Sequence, residues 1–207
     1  MTKDLVDILM EQDLSGMDFS GMSLEGVDFS GKLLYGANFK GAYLANATFI
    51  SAKLDGANFE LADLDYANFY EASMKSVNLS HAVLGKSVLR GVELVGANME
   101  YAILDEADMQ DTDLRYAWMK KVSMNGANAS RTNFSGAHML EVKAHGANFR
   151  GATFILTNLT GMSAPVSNFK YAYIKDANFE NADLTGVSFH EASLLQANFK
   201  GATVNHR

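Results

Sequence analysis

From Gly36 to Phe69 the chain reads GANFKGAYLANATFISAKLDGANFELADLDYANF, and a bulky apolar residue stands at every fifth position: Phe39, Leu44, Phe49, Leu54, Phe59, Leu64 and Phe69. The pattern runs far beyond this stretch. Every residue whose number ends in 4 or 9 is apolar from Leu14 to Val204, 39 positions without an insertion or deletion. Two residues before the bulky one the chain usually has a small residue, as at Ala37, Ala42, Ala47, Ala52, Ala57, Ala62 and Ala67. Two residues after it stands a frequent glycine, as at Gly16, Gly21, Gly26, Gly31, Gly36 and Gly41. The residue just before it is often Asn or Asp, as at Asn38, Asn58, Asn78 and Asn98.

Neither common secondary structure fits this period. On a helix, five residues overshoot a full turn by roughly 140°, so the bulky residues would circle the axis without forming a stripe. On a strand, an odd step would send successive bulky residues to opposite faces. A backbone that bends identically every five residues satisfies the pattern, and Gly, Asn and Asp recur at fixed offsets where such bends need them. Four bends close a square, so twenty residues make one lap. Laps then stack at the strand spacing of about 4.8 Å, and about ten of them make a rod roughly 45–50 Å long. The interior of such a tube is narrow. One large side chain per side fills it, and the neighbouring inward position has room only for Ala or Val. Ala129 has only Ala127 beside it, so the spacing predicts a slightly underpacked lap there.

The units Ala37-Asn38-Phe39, Ala62-Asp63-Leu64 and Ala182-Asp183-Leu184 resemble the A(D/N)LxX motif of the pentapeptide-repeat family. The resemblance covers residues 12–206. It implies an all-β fold, the right-handed quadrilateral β-helix, with Phe39, Phe49, Phe59, Phe69, Leu44, Leu54 and Leu64 in its core. Some members of that family resemble B-form DNA in width and charge. They occupy the DNA site of DNA gyrase or topoisomerase IV and protect it from inhibitors. The resemblance therefore makes those enzymes candidate partners, and an effector or targeting module the alternative.

The ends of a solenoid expose core and unpaired backbone. Residues 1–11 are expected to form a helical cap, with Thr2 as N-cap and Leu5, Ile8 and Leu9 on one face. Residues 12–207 are expected to form one β-helix domain. The repeat runs to Val204 and shows no comparable cap, which suggests a homodimer formed by end-to-end stacking near Leu194 and Phe199.

Composition changes this picture in three ways. The chain has 207 residues, no cysteine and one proline, which excludes disulfides, cysteine nucleophiles and thiolate metal sites. No apolar run is long enough to span a membrane, and Asp4 and Asp7 interrupt any secretory leader, so a cytoplasmic location is expected. The net charge of −7 is unevenly spread. Residues 1–113 hold 19 acids and 7 bases (−12), residues 114–175 hold 1 and 8 (+7), and residues 176–207 hold 4 and 2 (−2).

Candidate chemistry is sparse. No phosphate loop, nucleophile set or helical metal spacing exists, so neither a cofactor nor catalysis is expected. The densest acidic run, Glu100, Asp105, Glu106, Asp108, Asp111 and Asp113, is a candidate acidic surface, although a plain solvated face explains it as well. His138 and His145 are expected to point outward on different sides. Tyr101, Tyr116 and Trp118 fall at outward offsets, with Leu140 one lap further on and Arg115, Lys120 and Lys121 nearby. Outward aromatics beside cations resemble an interaction hot spot, although scattered surface aromatics are common. Direct nucleic-acid binding through the basic belt is not expected, because eight bases spread around a square need not form one patch. Matching offsets one lap apart predict the pairs Lys40–Glu60, Glu100–Lys120 and Glu180–Lys200. The sequence thus points to a non-catalytic protein-binding rod.

Overall fold

A computed structural model describes residues 10–204. The N-terminal cap expected over 1–11 lies outside the described residues, apart from Met10 and Glu11. From Asp13 onward each outward residue before a bulky one pairs in parallel with its counterpart 20 residues later, as in Asn38↔Asn58, Asn58↔Asn78 and Asn78↔Asn98. One lap therefore takes twenty residues and has four sides. We number the sides by their buried centres. The first carries Leu14, Leu34 and Leu54, the second Phe19, Phe39 and Phe59, the third Leu24, Leu44 and Leu64, and the fourth Phe29, Phe49 and Phe69. On the first side the pairing lengthens into three short strands, β1 (Thr153–Ile155), β2 (Tyr173–Lys175) and β3 (Ser193–Leu195), parallel and in register in the order β1-β2-β3.

The repeat solves the backbone hydrogen-bond problem residue by residue. In the unit around Phe39, the Ala37 amide donates to Leu34 across a turn, the Asn38 amide to Met17 of the lap before, and the Phe39 amide to Asn58 of the lap after. The Gly41 amide also donates to the next lap, at Glu60. The one amide left over, that of Lys40, donates to the Asn38 side-chain oxygen at 3.2 Å. This is why Asn and Asp recur before the bulky residue: their side chains accept the orphan amide two positions on. Along the second side they also bond each other, Asn58 Nδ2 to Asn38 Oδ1 at 3.3 Å and Asn78 Nδ2 to Asn58 Oδ1 at 3.2 Å. The same ladder recurs on the fourth side through Asn128, Asn148 and Asn168.

The corners are more uniform than the sequence suggests. Every residue whose number ends in 1 or 6 from Gly16 to Gly201 has positive φ, 16 glycines and 22 other residues. Leu61, Tyr66 and Val166 adopt φ of 61°, 60° and 53°. A side chain in this region costs about 1–2 kcal/mol, offset here by the inter-lap bonds on either side.

Inside, the seven predicted core residues are fully buried. Phe39 stacks on Phe59 at 4.7 Å and 4°, and Phe49 on Phe69 at 4.8 Å and 4°. The two columns meet edge to face across the tube, at 5.8 Å between Phe39 and Phe49. Ala129 is buried, and Phe134 on the adjoining side brings a ring into the same lap. Some inward small positions carry hydroxyls. Thr112, Thr132 and Thr157 each donate to a carbonyl 23 residues earlier, at 2.7, 2.6 and 2.9 Å.

Candidate functional site

The second side is uniform except at its middle. Its outward column runs Asp18, Asn38, Asn58, Asn78, Asn98, then Trp118 and His138, then Asn158, Asn178 and Asn198. Two laps thus exchange the amide ladder for a pair of rings. Trp118 stacks on His138 with centroids 4.3 Å apart and planes within 13°. The same 20-residue offset that stacks Phe rings inside stacks these outside. Trp118 remains 51% exposed.

The neighbouring corners extend the surface. Tyr116 occupies the corner between the first and second sides and is 63% exposed. Its ring lies over the next corner of that column, where a Cβ on Gly136 would come within 2.6 Å of it. Gly136 therefore leaves room for the ring, and its φ of 71° suits glycine. Tyr101 occupies the corner between the second and third sides, where it stacks on His81 at 4.9 Å and 2°. Leu140 lies half-buried on the second side, two residues after His138.

The cations near this surface divide. Arg115 turns to the first side, where its Nη2 lies 2.7 Å from Asp113 Oδ2 and its Nε bonds the same carboxylate. The bonds from Asp113 raise the guanidinium's pKa above its ordinary value. Lys121 sits at the corner beyond Trp118 and pairs with Glu141 at 3.6 Å. Lys120 stays on the second side. Its expected partner Glu100 stands one lap back at the same offset, but the two form no ion pair among the described residues. The other two expected pairs do form, Lys40–Glu60 at 2.9 Å and Glu180–Lys200 at 3.7 Å.

The six acidic residues are not brought together. Glu100 lies on the second side, Asp105 on the third, Asp108 on the fourth and Asp113 on the first, with Glu106 and Asp111 at corners. The fourteen residues from Glu100 to Asp113 cover more than half a lap, so a dense run in sequence becomes a belt around the tube. Most of these carboxylates are also engaged. Asp105 accepts from the Ser123 hydroxyl and the Asn125 amide at 2.7 and 2.8 Å. Asp111 pairs with Arg131, whose hydrogen bonds hold the carboxyl below its usual pKa. Glu106 faces Lys86 at 3.8 Å. Among the described residues no group of three or more His, Asp or Glu is placed to hold a metal ion. Nor is any helix long and apolar enough to cross a membrane.

Sequence reasoning missed the two histidines as ring partners. Adding one lap to His81 gives Tyr101, and adding one lap to Trp118 gives His138. The signal was present in the spacing.

A scan against family profiles matches the one described as Pentapeptide repeats over residues 13–49, 42–80, 72–111, 107–139, 123–161 and 167–205. The chain belongs to the pentapeptide-repeat family. A search of curated proteins gives no significant match. Among solved structures, the chain is similar to HetL, a pentapeptide repeat protein involved in heterocyst differentiation regulation from the cyanobacterium Nostoc sp. strain PCC 7120. The identity is 25%, with 92% of this chain and 88% of that one covered and a TM-score of 0.49. It is similar also to full-length QnrB1, a plasmid-mediated fluoroquinolone resistance protein, at 20% identity over 93% and 91% of the chains with a TM-score of 0.49. A pentapeptide repeat protein from the Arabidopsis thaliana thylakoid lumen is 39% identical over 50% of this chain and 69% of that one, with a TM-score of 0.29.

Proposed function

We propose that this pentapeptide-repeat protein is a non-catalytic scaffold that binds another protein through its second side, with Tyr116 and Trp118 at the centre of the contact and Tyr101 and Leu140 at its margins. One observation carries this reading. At the middle of a side whose outward column is otherwise Asp18 and asparagines, two laps carry instead a stacked Trp118–His138 pair that stays exposed. Exposed Trp and Tyr are the side chains that dominate protein contacts. The rigid tube behind them fixes their geometry in advance, which lowers the entropic cost of binding. In this reading the site serves an effector or targeting module that works in the cytoplasm. The frame is the family's right-handed coil, from residue 12 through the last described residue, Val204.

Affinity capture with the parent chain and with a Trp118→Ala, Tyr116→Ala variant tests the reading. The variant should lose the partners that the parent retains. An identical set of partners from both retires the second side as the contact.

A second reading makes the partner DNA gyrase or topoisomerase IV, with the rod in place of DNA. What favours it is the −12 net charge of residues 1–113, from 19 acids and 7 bases. A gyrase supercoiling assay decides it: unchanged activity at micromolar protein ends that reading. A third contact is open at the last described lap. There Phe189, Leu194, Phe199 and Val204 line an apolar hollow of about 260 Å³. A second copy stacked end to end would cover it, and light scattering after size exclusion would then give twice the chain's mass. A strictly monomeric mass would remove the dimer.

A further inference from the structure

The stacked pair has one covered and one open ring face. His138 covers the Trp118 indole from the lap after. On the side of the lap before, Trp118 borders an open hollow of about 520 Å³ lined also by Gly96, Asn98 and Glu100. We propose that this hollow receives the side chain of an arginine from the protein partner. The inference rests on the reading of the second side as a protein contact and names the chemistry it selects.

Three features converge on a guanidinium. The first is the open indole face, since tryptophan is the strongest side-chain host for a cation lying over a ring, and guanidinium stacks flat on such rings. The second is Glu100. Its carboxylate sits in the same hollow and has no ion-pair partner among the described residues, whereas Glu60 and Glu180 at the same offset of this side are paired. A planar carboxylate presents two oxygens that match the guanidinium fork. The third is the shape of the entrance. Gly96 occupies the corner directly before Tyr116, so the corner column is bare at the mouth of the hollow and carries a large ring one lap further on. Asn98 fixes the floor, its Oδ1 accepting the Glu100 amide at 3.1 Å. A neutral apolar anchor would leave Glu100 unmatched, and an acidic one would be repelled by it. Lys120 stands one lap on at the same offset without pairing to Glu100, and its positive charge opposes a second cation there, so its removal should favour the incoming arginine.

Trp118 is the only tryptophan in the chain, so its emission reports on this hollow directly. The probe is a short acetylated Gly-Arg-Gly amide, titrated to about 10 mM, a range suited to a single-residue contact in the millimolar class. Its citrulline twin, which has the same shape without the charge, is the control. The arginine peptide should change Trp118 emission saturably and the citrulline peptide should not. Glu100→Gln should weaken the arginine peptide about tenfold, and Lys120→Ala should tighten it. Both variants keep the size of the core and should melt with the parent. No emission change, equal responses to arginine and citrulline, or equal binding by Glu100→Gln each overturns the proposal. These outcomes separate from the broader reading. If captured partners are lost with Trp118→Ala, Tyr116→Ala but retained with Glu100→Gln, the protein contact stands and the arginine site does not.

Discussion

The laps before Phe69 and the laps between Met74 and Ala144 share one backbone and differ in nearly everything hung on it. The early laps hold two parallel columns of phenylalanine on opposite sides, with rings 4.7–4.9 Å apart. Their corners are largely glycine, and their second side is an unbroken amide ladder. The middle laps contain no phenylalanine until Phe134. They fill the tube with methionines (Met74, Met99, Met109, Met119, Met124 and Met139) interspersed with leucines such as Leu79, Leu89, Leu104 and Leu114, and place buried hydroxyls at Ser87, Thr112 and Thr132. Their second side carries the exposed aromatic pair. The difference shows that the inter-lap bonds set the geometry while interior filling and exterior chemistry vary independently. The flexible thioether adapts to whatever space its neighbours leave, so these laps keep the common register without stacked rings.

The sharpest break of the comparison is a shift of register. One extra residue after Leu64 would move every later side chain by one position around the unit, placing outward residues inside. Thermal unfolding followed by circular dichroism should show loss of the cooperative transition. A variant that melts like the parent contradicts the five-residue frame.

Next comes the core itself. Phe49→Ala removes a ring from the middle of a stack and should cost about 3–5 kcal/mol, whereas Met109→Ala on the same side should cost about 2–3 kcal/mol because neighbouring methionines re-adjust. Denaturant unfolding of both variants measures the difference. Equal costs would mean that the stacked columns add nothing beyond volume.

A smaller effect tests the outside. Trp118→Asn together with His138→Asn completes the asparagine column of the second side. Stability should change by less than about 1 kcal/mol in either direction, since one set of lateral contacts replaces another, while partner capture is lost. A large destabilisation would instead make the aromatic pair a structural element of the tube.

Smallest is the response to acid. Asp13, Asp18 and Asp28 take in the first laps the amide-accepting role that Asn38 and Asn58 take later, and hydrogen bonds first from the Ser15, Ser20 and Ser30 hydroxyls and then from the same residues' amides lower their pKa below the usual 3.8. A carboxyl with a lowered folded pKa contributes stability that is fully present above its unfolded value and lost as pH falls through the folded one. The first laps should therefore loosen below pH 3.8 while the Asn-based laps hold. Amide hydrogen exchange, compared between pH 5 and about pH 3 after correction for intrinsic rates, should show the difference at Ser15, Ser20 and Ser30 but not at Lys40 or Glu60.

Much of this architecture is legible in the letters. Phe39 to Phe69 report their burial by spacing alone, because a period of five fits no helix or strand. Tyr116 and Trp118 were legible as outward for the same reason. The acidic run was misleading because neighbours in sequence diverge around a square, whereas residues 20 apart meet. Asp105 and Asp113 thus face different directions, while Trp118 and His138 touch. Reading by laps instead of by neighbours recovers both facts. Two features lay beyond sequence reasoning. Leu61 and Val166 give no sign of left-handed backbone, since the demand comes from bonds to adjacent laps. Nor does the failure of Glu100 to pair with Lys120 follow from offsets that do pair elsewhere.

The corner positions carry a consequence for how such a rod changes over time. At Gly16, Gly21, Gly26, Gly31, Gly36 and Gly41 an added Cβ would meet nothing within 4 Å. Each of these six corners is therefore an empty socket on the outer edge, with an entry toll of about 1–2 kcal/mol set by backbone alone. Tyrosine, arginine, glutamate and leucine already occupy such sockets here. New recognition chemistry can be swapped in at such open corners without consulting the interior, so sequences built this way can drift far apart in their targets while remaining the same object.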